Sequence, residues 1–201
     1  MKLVLASTSP RRIQLMKQVG LSVKIAHPDA DETPRSRERP SALVRRLSRA
    51  KAISVANGLR GDCLVIAADT IVVSPDGRGI LGKPKHASEA RSMLRLLSGR
   101  THTVFTGYCV LHVQDGRKRK SLIRVVRSKV HLRALTAGEI VKYVATGEPM
   151  DKAGSYAAQG LGMALVERIS GSYTNVVGLP MSQLLRDLET FGIPLFGKSN
   201  R

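Results

Sequence analysis

An acidic residue interrupts a long apolar segment at residues 63–73. The segment is rich in β-branched side chains, which predicts a strand covered on both faces of an α/β sheet. Asp69 lies near its middle, and a carboxylate is rarely buried unless it is paired or binds a metal. Two interpretations follow. Asp69 either forms a turn that ends a short strand at Ala68, or is an acid that the sheet holds against a reacting group.

A polar group follows the short apolar segment at residues 2–6. Residues 7–12 read Ser-Thr-Ser-Pro-Arg-Arg, and the Ser-Pro pair predicts an N-cap followed by the first turn of a helix. Arg11 and Arg12 place positive charge at that helix N-terminus, against the helix dipole. Together with the free N–H groups and the Ser7 hydroxyl, they predict a phosphate site. The alternative is a solvated arginine pair on an ordinary helix.

Other side chains suit the same chemistry. Lys51 shares the edge of the apolar stripe of a predicted helix, and Lys83 precedes a proline that favours an extended backbone. Each lysine either reaches a phosphate or is an ordinary surface lysine. Glu32 lies in the proline-rich and charged segment 27–40, whose acids either hold a divalent cation or are solvated. Residues 147–160 combine glycines with varied functional groups, which is typical of a binding loop.

The elements that must position these groups alternate between strand-like and helix-like segments, which predicts an α/β fold. No linker divides the chain, so we expect one domain over residues 1–201. A Thr136 to Glu139 capping box predicts the start of one helix.

Turn signals predict two hairpins. A Ser-Pro-Asp-Gly turn connects residues 71–73 with residues 79–81. An Asp-Gly turn connects an antiparallel pair at residues 101–113 and 121–132. The basic residues 117–120 are expected to form an exposed loop at the tip of that pair.

The composition indicates polyanionic partners. The 201 residues include 33 Lys and Arg against 15 Asp and Glu, a formal charge of +18. Such a balance suits nucleotides, phosphates or nucleic acid. Aromatic residues make up only 3% and Trp is absent, so stacking platforms for single-stranded nucleic acid are scarce.

The two cysteines, Cys63 and Cys109, lie in apolar segments, and their spacing is not that of a disulfide framework. The apolar run at residues 3–6 is too short for a signal peptide. Apolar runs fall short of the ~20 residues that a membrane helix needs. We therefore expect a soluble protein of the cytoplasm, without a membrane partner.

Short segments in a fixed order resemble the Maf family of nucleoside triphosphate pyrophosphatases, from Leu3 to Leu188. They are Leu5-Ala-Ser-Thr-Ser-Pro-Arg-Arg12, Arg49-Ala-Lys-Ala52, Ala67-Ala-Asp-Thr70, Gly82-Lys-Pro84, Leu96-Leu-Ser-Gly99 with His102, Thr146-Gly-Glu-Pro149, Asp151-Lys-Ala-Gly154, Gln159-Gly160, and Ile169-Ser-Gly-Ser-Tyr173 through Asn175-Val-Val-Gly-Leu-Pro180. Each is weak alone, but their common order is specific. The charge of +18 is high for the family.

The resemblance implies a twisted mixed sheet with helices on its faces and two lobes around a deep cleft. It also implies hydrolysis of a nucleoside triphosphate between the α and β phosphates, with Mg²⁺ or Mn²⁺ as cofactor. Asp69 matches the proton acceptor, and whether it accepts the proton or binds the metal stays open. Glu32 matches an acid near the metal. The phosphate-binding positions match Ser7, Arg11, Arg12, Lys51 and Lys83.

Three residues match the branch of the family that acts on dTTP and UTP, namely Arg11, Thr70 and Gln159. The amide of Gln159 has a donor and an acceptor, which could read the edge of a pyrimidine. We therefore expect a dTTP/UTP pyrophosphatase that removes modified pyrimidine nucleotides. The alternatives are a 7-methyl-GTP or inosine triphosphate pyrophosphatase, or a nucleic-acid-binding module of cell-division control. A homodimer and a weak nucleic-acid contact through the basic surface are also expected.

Overall fold

The computed structural model describes residues 1–194, in which strands and helices alternate. Strands β1 to β7 span Lys2–Ala6, Lys24–Ala26, Asp62–Val73, Ile80–Leu81, Thr101–Gln114, Arg117–Leu132 and Val166–Ser170. Helices α1 to α6 span Pro10–Gln18, Pro40–Ala56, Ala87–Leu97, Ala137–Ala145, Tyr173–Val177 and Met181–Glu189. Short 3-10 helices span Glu148–Asp151, Ala153–Ser155 and Gly160–Leu165.

The strands form one mixed sheet in the order β2-β1-β3-β5-β6-β7, with β4 paired to β3. Strand β1 runs parallel to both β2 and β3. Antiparallel pairs join β3 to β4 and β6 to β7. The predicted α/β class with a mixed sheet is confirmed, and so is the hairpin between residues 71–73 and 79–81.

The chain forms two compact units, in line with the two lobes that the resemblance implied. The first contains Met1–Asp69, Thr106–Val126 and the residues from Gly178 on. The second contains Thr70–Phe105 and Arg127–Val177. The prediction of a single domain over residues 1–201 stays a prediction.

In the first unit, helix α2 packs closely on the sheet. Its Ala52 and Ala56 join a buried cluster with Val4, Val65 and Ala67 of β1 and β3. Gly107 of β5 makes the approach possible, because a Cβ built on it would lie 2.3 Å from the carbonyl oxygen of Val44. Small side chains therefore bring α2 against the sheet.

A buried acid attaches helix α6 to the same unit. Asp187 accepts a 2.5 Å hydrogen bond from the Tyr108 hydroxyl and a bidentate pair, at 2.7 and 2.8 Å, from Arg124. Burial alone would raise the pKa of Asp187, but the hydrogen bonds from Arg124 and Tyr108 lower it below its usual value. The charge of Asp187 is thus satisfied inside the protein.

The second unit is held by a separate apolar cluster. Leu94 and Leu97 of α3, Ile140 and Val144 of α4, and Val72 of β3 are buried in it. The capping box predicted at the start of α4 is present, with the hydroxyl of Thr136 and the carboxylate of Glu139 each accepting from the other's backbone N–H. Patterning and capping together define this part of the fold.

The structure decides between the two interpretations of Asp69 and corrects one local expectation. Strand β3 does not end at Ala68 but continues through Asp69 to Val73, so Asp69 is not a turn residue and lies within the sheet. The basic residues 117–120 belong to β6 and do not form a loop. The reason is the preceding turn, in which Asp115 and Gly116 both have positive φ, as in the tight hairpin turn that lets pairing begin at once.

Two further properties of the described residues are the state of the cysteines and the apolar character of the helices. Cys63 and Cys109 are free and buried, and burial raises the pKa of the Cys109 thiol to about 11. Within residues 1–194, none of the helices combines the length and the apolar character that crossing a bilayer requires.

The close approach of α2 leads to a stability prediction. We expect Gly107→Ala to lower the free energy of unfolding by about 1–3 kcal/mol, because the new methyl group would force α2 away from the sheet. Urea unfolding measures the change. Gly138→Ala in α4 is the matched control. A Cβ built on Gly138 has no heavy atom within 4 Å apart from its chain neighbours and the backbone of its own helix. It should leave stability unchanged or raise it by up to ~1 kcal/mol. Equal stability of the two variants would contradict the prediction.

Candidate active site

Asp69 lies just beyond the point where two parallel strands stop pairing. The β1–β3 ladder ends at the pair Ala6 and Ala67, and β3 continues past it. Asp69 is only 6% exposed. The Nζ atom of Lys51 donates to its Oδ1 atom at 2.6 Å. A buried carboxylate therefore has the charged partner that its burial requires.

Lys51 is delivered by the buried face of α2. It follows Leu47 by one helical turn and is itself 6% exposed. Ala52 and Gly107 allow the helix to lie near the sheet, so the short distance to Asp69 follows from packing. Lys51 thus reaches inward and does not extend to solvent like a surface lysine.

A second carboxylate meets the same ammonium group. The Oε1 atom of Glu32 lies 2.8 Å from Lys51 Nζ, although the Glu32 side chain is 63% exposed. The surrounding loop is tied to α2, since the backbone N–H of Asp29 donates to Ser54 Oγ at 3.2 Å. Lys51 therefore joins the predicted catalytic acid to the predicted metal-loop acid.

Arg46 holds the same loop at its other end, which the sequence did not reveal. Its guanidinium group donates twice to Glu38, at 2.8 and 2.7 Å, and once to the Thr33 carbonyl, at 3.0 Å. Its hydrogen bond lowers the pKa of Glu38 to about 2. Only the spatial position of the loop distinguishes Arg46 from the exposed Arg45 and Arg49.

The start of α1 contributes a hydroxyl and a guanidinium group. Arg12 donates from Nη1 to Ser7 Oγ at 3.3 Å and from Nε to the carbonyl oxygen of Gly178 at 2.8 Å. Ser9 occupies the N-cap as predicted, but its side chain makes no capping hydrogen bond. Ser7 is buried directly after β1, at the carboxyl end of that parallel strand.

The charge of Arg12, at the start of α1, interacts with the two acids that contact Lys51. Desolvation lowers the pKa of Arg12, and the negative charges of Asp69 and Glu32 oppose that change while the neighbouring Arg11 adds to it. Arg11 is partly buried beside it. Ligands of open α/β sheets bind outside the carboxyl ends of the strands, where these side chains lie. The structure thus brings together Ser7, Arg12, Glu32, Lys51 and Asp69.

The remaining candidates belong to the second unit. Thr70 follows Asp69 within β3, so the alternation of strand side chains directs the two to opposite faces of the sheet. Lys83 is exposed and Gln159 is partly buried. Their segments are joined by a hydrogen bond from the N–H of Gly154 to the carbonyl of Gly82, at 3.0 Å.

The two acids on Lys51 have the donor chemistry of a magnesium site. Mg²⁺ is typically held by one or two carboxylates together with waters and substrate phosphates. Asp69 and Glu32 can supply those carboxylates, since both reach one cationic atom, at 2.6 and 2.8 Å. Among the described residues no three His, Cys, Asp or Glu side chains form a complete metal cluster. The two carboxylates therefore fit part of a divalent-cation site.

Comparison with known proteins identifies the family. The family model described as Maf-like protein matches residues 2–191. The chain belongs to this family. The recognition made from the sequence motifs is thereby confirmed.

Full-length relatives carry a specific name. The dTTP/UTP pyrophosphatase of Syntrophus aciditrophicus is 46% identical over 95% of this chain and 90% of its own length. The enzyme of the same name from Pelotomaculum thermopropionicum is 47% identical over 95% of this chain and 97% of its own length. The dTTP/UTP pyrophosphatase of Myxococcus xanthus is 48% identical over 96% of this chain and 94% of its own length.

A solved structure shows the same fold at low identity. The Staphylococcus aureus Ham1 protein superposes with a TM-score of 0.50 at 13% identity, covering 95% of this chain and 100% of that chain. The likeness extends to the fold alone.

The two ion pairs of Lys51, with Asp69 and with Glu32, are expected to contribute unequally to stability. We expect Lys51→Met to lower the free energy of unfolding by about 3–5 kcal/mol, because it leaves Asp69 buried and unpaired. Glu32→Gln should cost less than about 1 kcal/mol, because that pair is largely exposed. Urea unfolding at neutral pH measures both.

The control tests the cause of the loss. Adding Asp69→Asn to Lys51→Met should restore part of the stability, since it removes the unpaired charge. A double variant no more stable than Lys51→Met, or equal costs for Lys51→Met and Glu32→Gln, would contradict the electrostatic explanation.

Proposed function

We propose that this protein hydrolyses dTTP and UTP to the nucleoside monophosphate and pyrophosphate. Family membership and the shared name of the full-length relatives support the proposal. The observation that carries it is the buried Lys51–Asp69 pair beside Ser7 and Arg12, at the carboxyl ends of parallel strands. An acid, two cations and a helix N-terminus suit attack on a phosphate.

In the proposed reaction Asp69 accepts a proton from a water molecule. The oxygen of that water attacks the α-phosphorus, and the bond from this phosphorus to the bridging oxygen breaks. Pyrophosphate leaves with the electron pair of that bond. Because Asp69 lies within β3, beyond its pairing with β1, and is bound by Lys51, its carboxylate is held in place before the substrate arrives.

The cationic groups hold the phosphate chain. Arg12 is oriented by Gly178 and Ser7, so its guanidinium group is fixed in position. We propose that Arg12, Arg11, Lys51 and Lys83 neutralise phosphate oxygens and that Ser7 donates its hydroxyl. Substrate phosphates would then take over part of the contact that Lys51 makes with its two acids.

A divalent cation completes the proposal. If Asp69 accepts the proton, Glu32 would hold Mg²⁺ or Mn²⁺; in the alternative, Asp69 and Glu32 would hold the ion together. In either case the ion would supply charge neutralisation and a more acidic water. The loop contacts of Asp29 and Arg46 keep Glu32 near Lys51 and so near this position.

The base preference is assigned to Arg11, Thr70 and Gln159. We propose that the Gln159 amide reads the edge of thymine or uracil, including those of modified pyrimidine nucleotides. The names of the relatives disfavour the 7-methyl-GTP and inosine triphosphate alternatives. They equally disfavour a binding module without activity.

Three further expectations belong to the same proposal. A cytoplasmic location agrees with two free buried cysteines. A homodimer stays a prediction. Weak contact with nucleic acid finds support in a small surface pocket that Arg49, Lys118, Arg119 and Lys120 help to line.

A substrate screen tests the activity. With Mg²⁺ or Mn²⁺ present, we expect pyrophosphate release from dTTP and UTP to exceed that from 7-methyl-GTP and ITP, and chelation of the metal to stop it. Asp69→Asn should lower kcat by roughly a hundred- to ten-thousand-fold, as for loss of a general base.

Asp62→Asn is the matched control, because Asp62 begins the same strand but is exposed. Its kcat should equal that of the wild type. Equal turnover of all four nucleotides would refute the base assignment, and an active Asp69→Asn would remove Asp69 from its role.

A further inference from the structure

The segment that carries Gln159 is held at both of its ends. On one side, the N–H of Ala157 donates to the Tyr143 hydroxyl at 3.2 Å. On the other, the N–H groups of Leu161 and Gly162 donate to the Glu148 carboxylate at 2.9 and 2.8 Å. Gln159 lies midway between these anchored residues.

The two anchors are themselves connected. The Tyr143 hydroxyl donates to Glu148 Oε1 at 2.8 Å, so it gives one hydrogen bond and accepts another. Tyr143 belongs to the buried face of α4. Glu148 follows the end of that helix, where Gly147 adopts a positive φ of 77°. The connection therefore starts from a rigid helix.

Lys152 adds a further contact by donating from Nζ to the Glu148 carbonyl at 2.8 Å. Burial would raise the pKa of Glu148, but the hydrogen bonds from Tyr143, Leu161 and Gly162 lower it. The carboxylate thus stays charged, which suits an acceptor of several N–H and O–H groups.

The backbone at Gly160 and Gly162 packs against Tyr143 and Glu148 too closely to admit a Cβ atom. A Cβ built on Gly160 would lie 2.5 Å from Glu148 Oε2, and Gly160 also has a φ of 63°. A Cβ on Gly162 would lie 2.7 Å from the Tyr143 hydroxyl and 2.3 Å from the Ala157 carbonyl. The backbone beside Gln159 is therefore fitted directly onto Tyr143 and Glu148.

We propose that Tyr143 and Glu148 are positioning residues that fix Gln159 and so set the base selectivity of the enzyme. The inference rests on the proposed function, in which Gln159 reads the base. An amide reads a base edge only within hydrogen-bond distance and angle. A shift of its backbone by about 1 Å is enough to lose that contact. Tyr143 and Glu148 therefore act through Gln159 and not on the phosphates.

Kinetics of Tyr143→Phe and Glu148→Gln test the inference. Tyr143→Phe removes the hydroxyl, whereas Glu148→Gln leaves one good acceptor oxygen in place of two. We expect KM for dTTP to rise about tenfold in each, with the ratio of kcat/KM for dTTP over dGTP falling by a similar factor. Inhibition by inorganic tripolyphosphate, which has no base, should stay at the wild-type level.

A matched control separates positioning from general loosening. The Glu139 carboxylate also accepts several hydrogen bonds, but at the opposite end of α4. Glu139→Gln should keep the wild-type ratio of dTTP to dGTP. Amide hydrogen exchange supplies a readout independent of activity, since at least one of Leu161 and Gly162 should exchange faster in Glu148→Gln and neither should in Glu139→Gln.

The outcomes are distinguishable. If the wild type prefers dTTP and the two variants retain that preference, the inference is wrong while the proposed function stands. Unchanged exchange at Leu161 and Gly162 in Glu148→Gln also overturns it. If the wild type hydrolyses neither dTTP nor UTP, the proposed function fails and the inference falls with it. Weaker tripolyphosphate inhibition in both variants would place them in phosphate binding and contradict the inference.

Discussion

The ion pair between Lys51 and Asp69 is the constraint on which the rest of the candidate site depends. A carboxylate within an otherwise apolar strand must be neutralised or paired, because isolated charge is very costly in a protein interior. The pair exists only because α2 lies close to the sheet, and that closeness follows from Gly107 and the alanines of α2. A glycine far along the chain thus determines where the charge of Asp69 can be paired.

The same ammonium group couples Asp69 to the loop of Glu32. Two acids and one lysine form a compact group, and Arg12 adds a second fixed cation next to it. Such a group suits a substrate that brings both negative phosphates and a divalent metal. Under the proposed function, phosphates would compensate the cations while a divalent metal would take the carboxylates, so binding would exchange one set of ionic contacts for another. Before the substrate binds, the contacts with Lys51 satisfy the two acids.

The sequence predicted most of the architecture because its signals were local. The capping box at Thr136 and the turn after Val73 are short patterns whose physics does not depend on distant residues. The family motifs also singled out Asp69, Lys51 and Ser7, and all three lie in the first unit. In contrast, the length of β3 was ambiguous. Whether an acid ends a strand or continues it depends on a partner that only the fold provides.

The residues that the sequence could not assign act over long separations in the chain. Arg46 looked like its solvated neighbours, yet it holds the loop of Glu32. Gly178 belongs to a recognised motif, but its carbonyl contact with Arg12 spans 166 positions. Residues 117–120 were misplaced because charge suggested a loop, whereas the turn geometry at Asp115 and Gly116 extends the strand to them.

The proposed reaction requires water to attack the α-phosphorus of a pyrimidine nucleoside triphosphate. Hydrolysis of dTTP in water labelled with a heavy oxygen isotope tests it most directly, with the products separated and weighed by mass spectrometry. We expect one labelled oxygen in the nucleoside monophosphate and none in pyrophosphate. Label in pyrophosphate, or release of orthophosphate in its place, would contradict it.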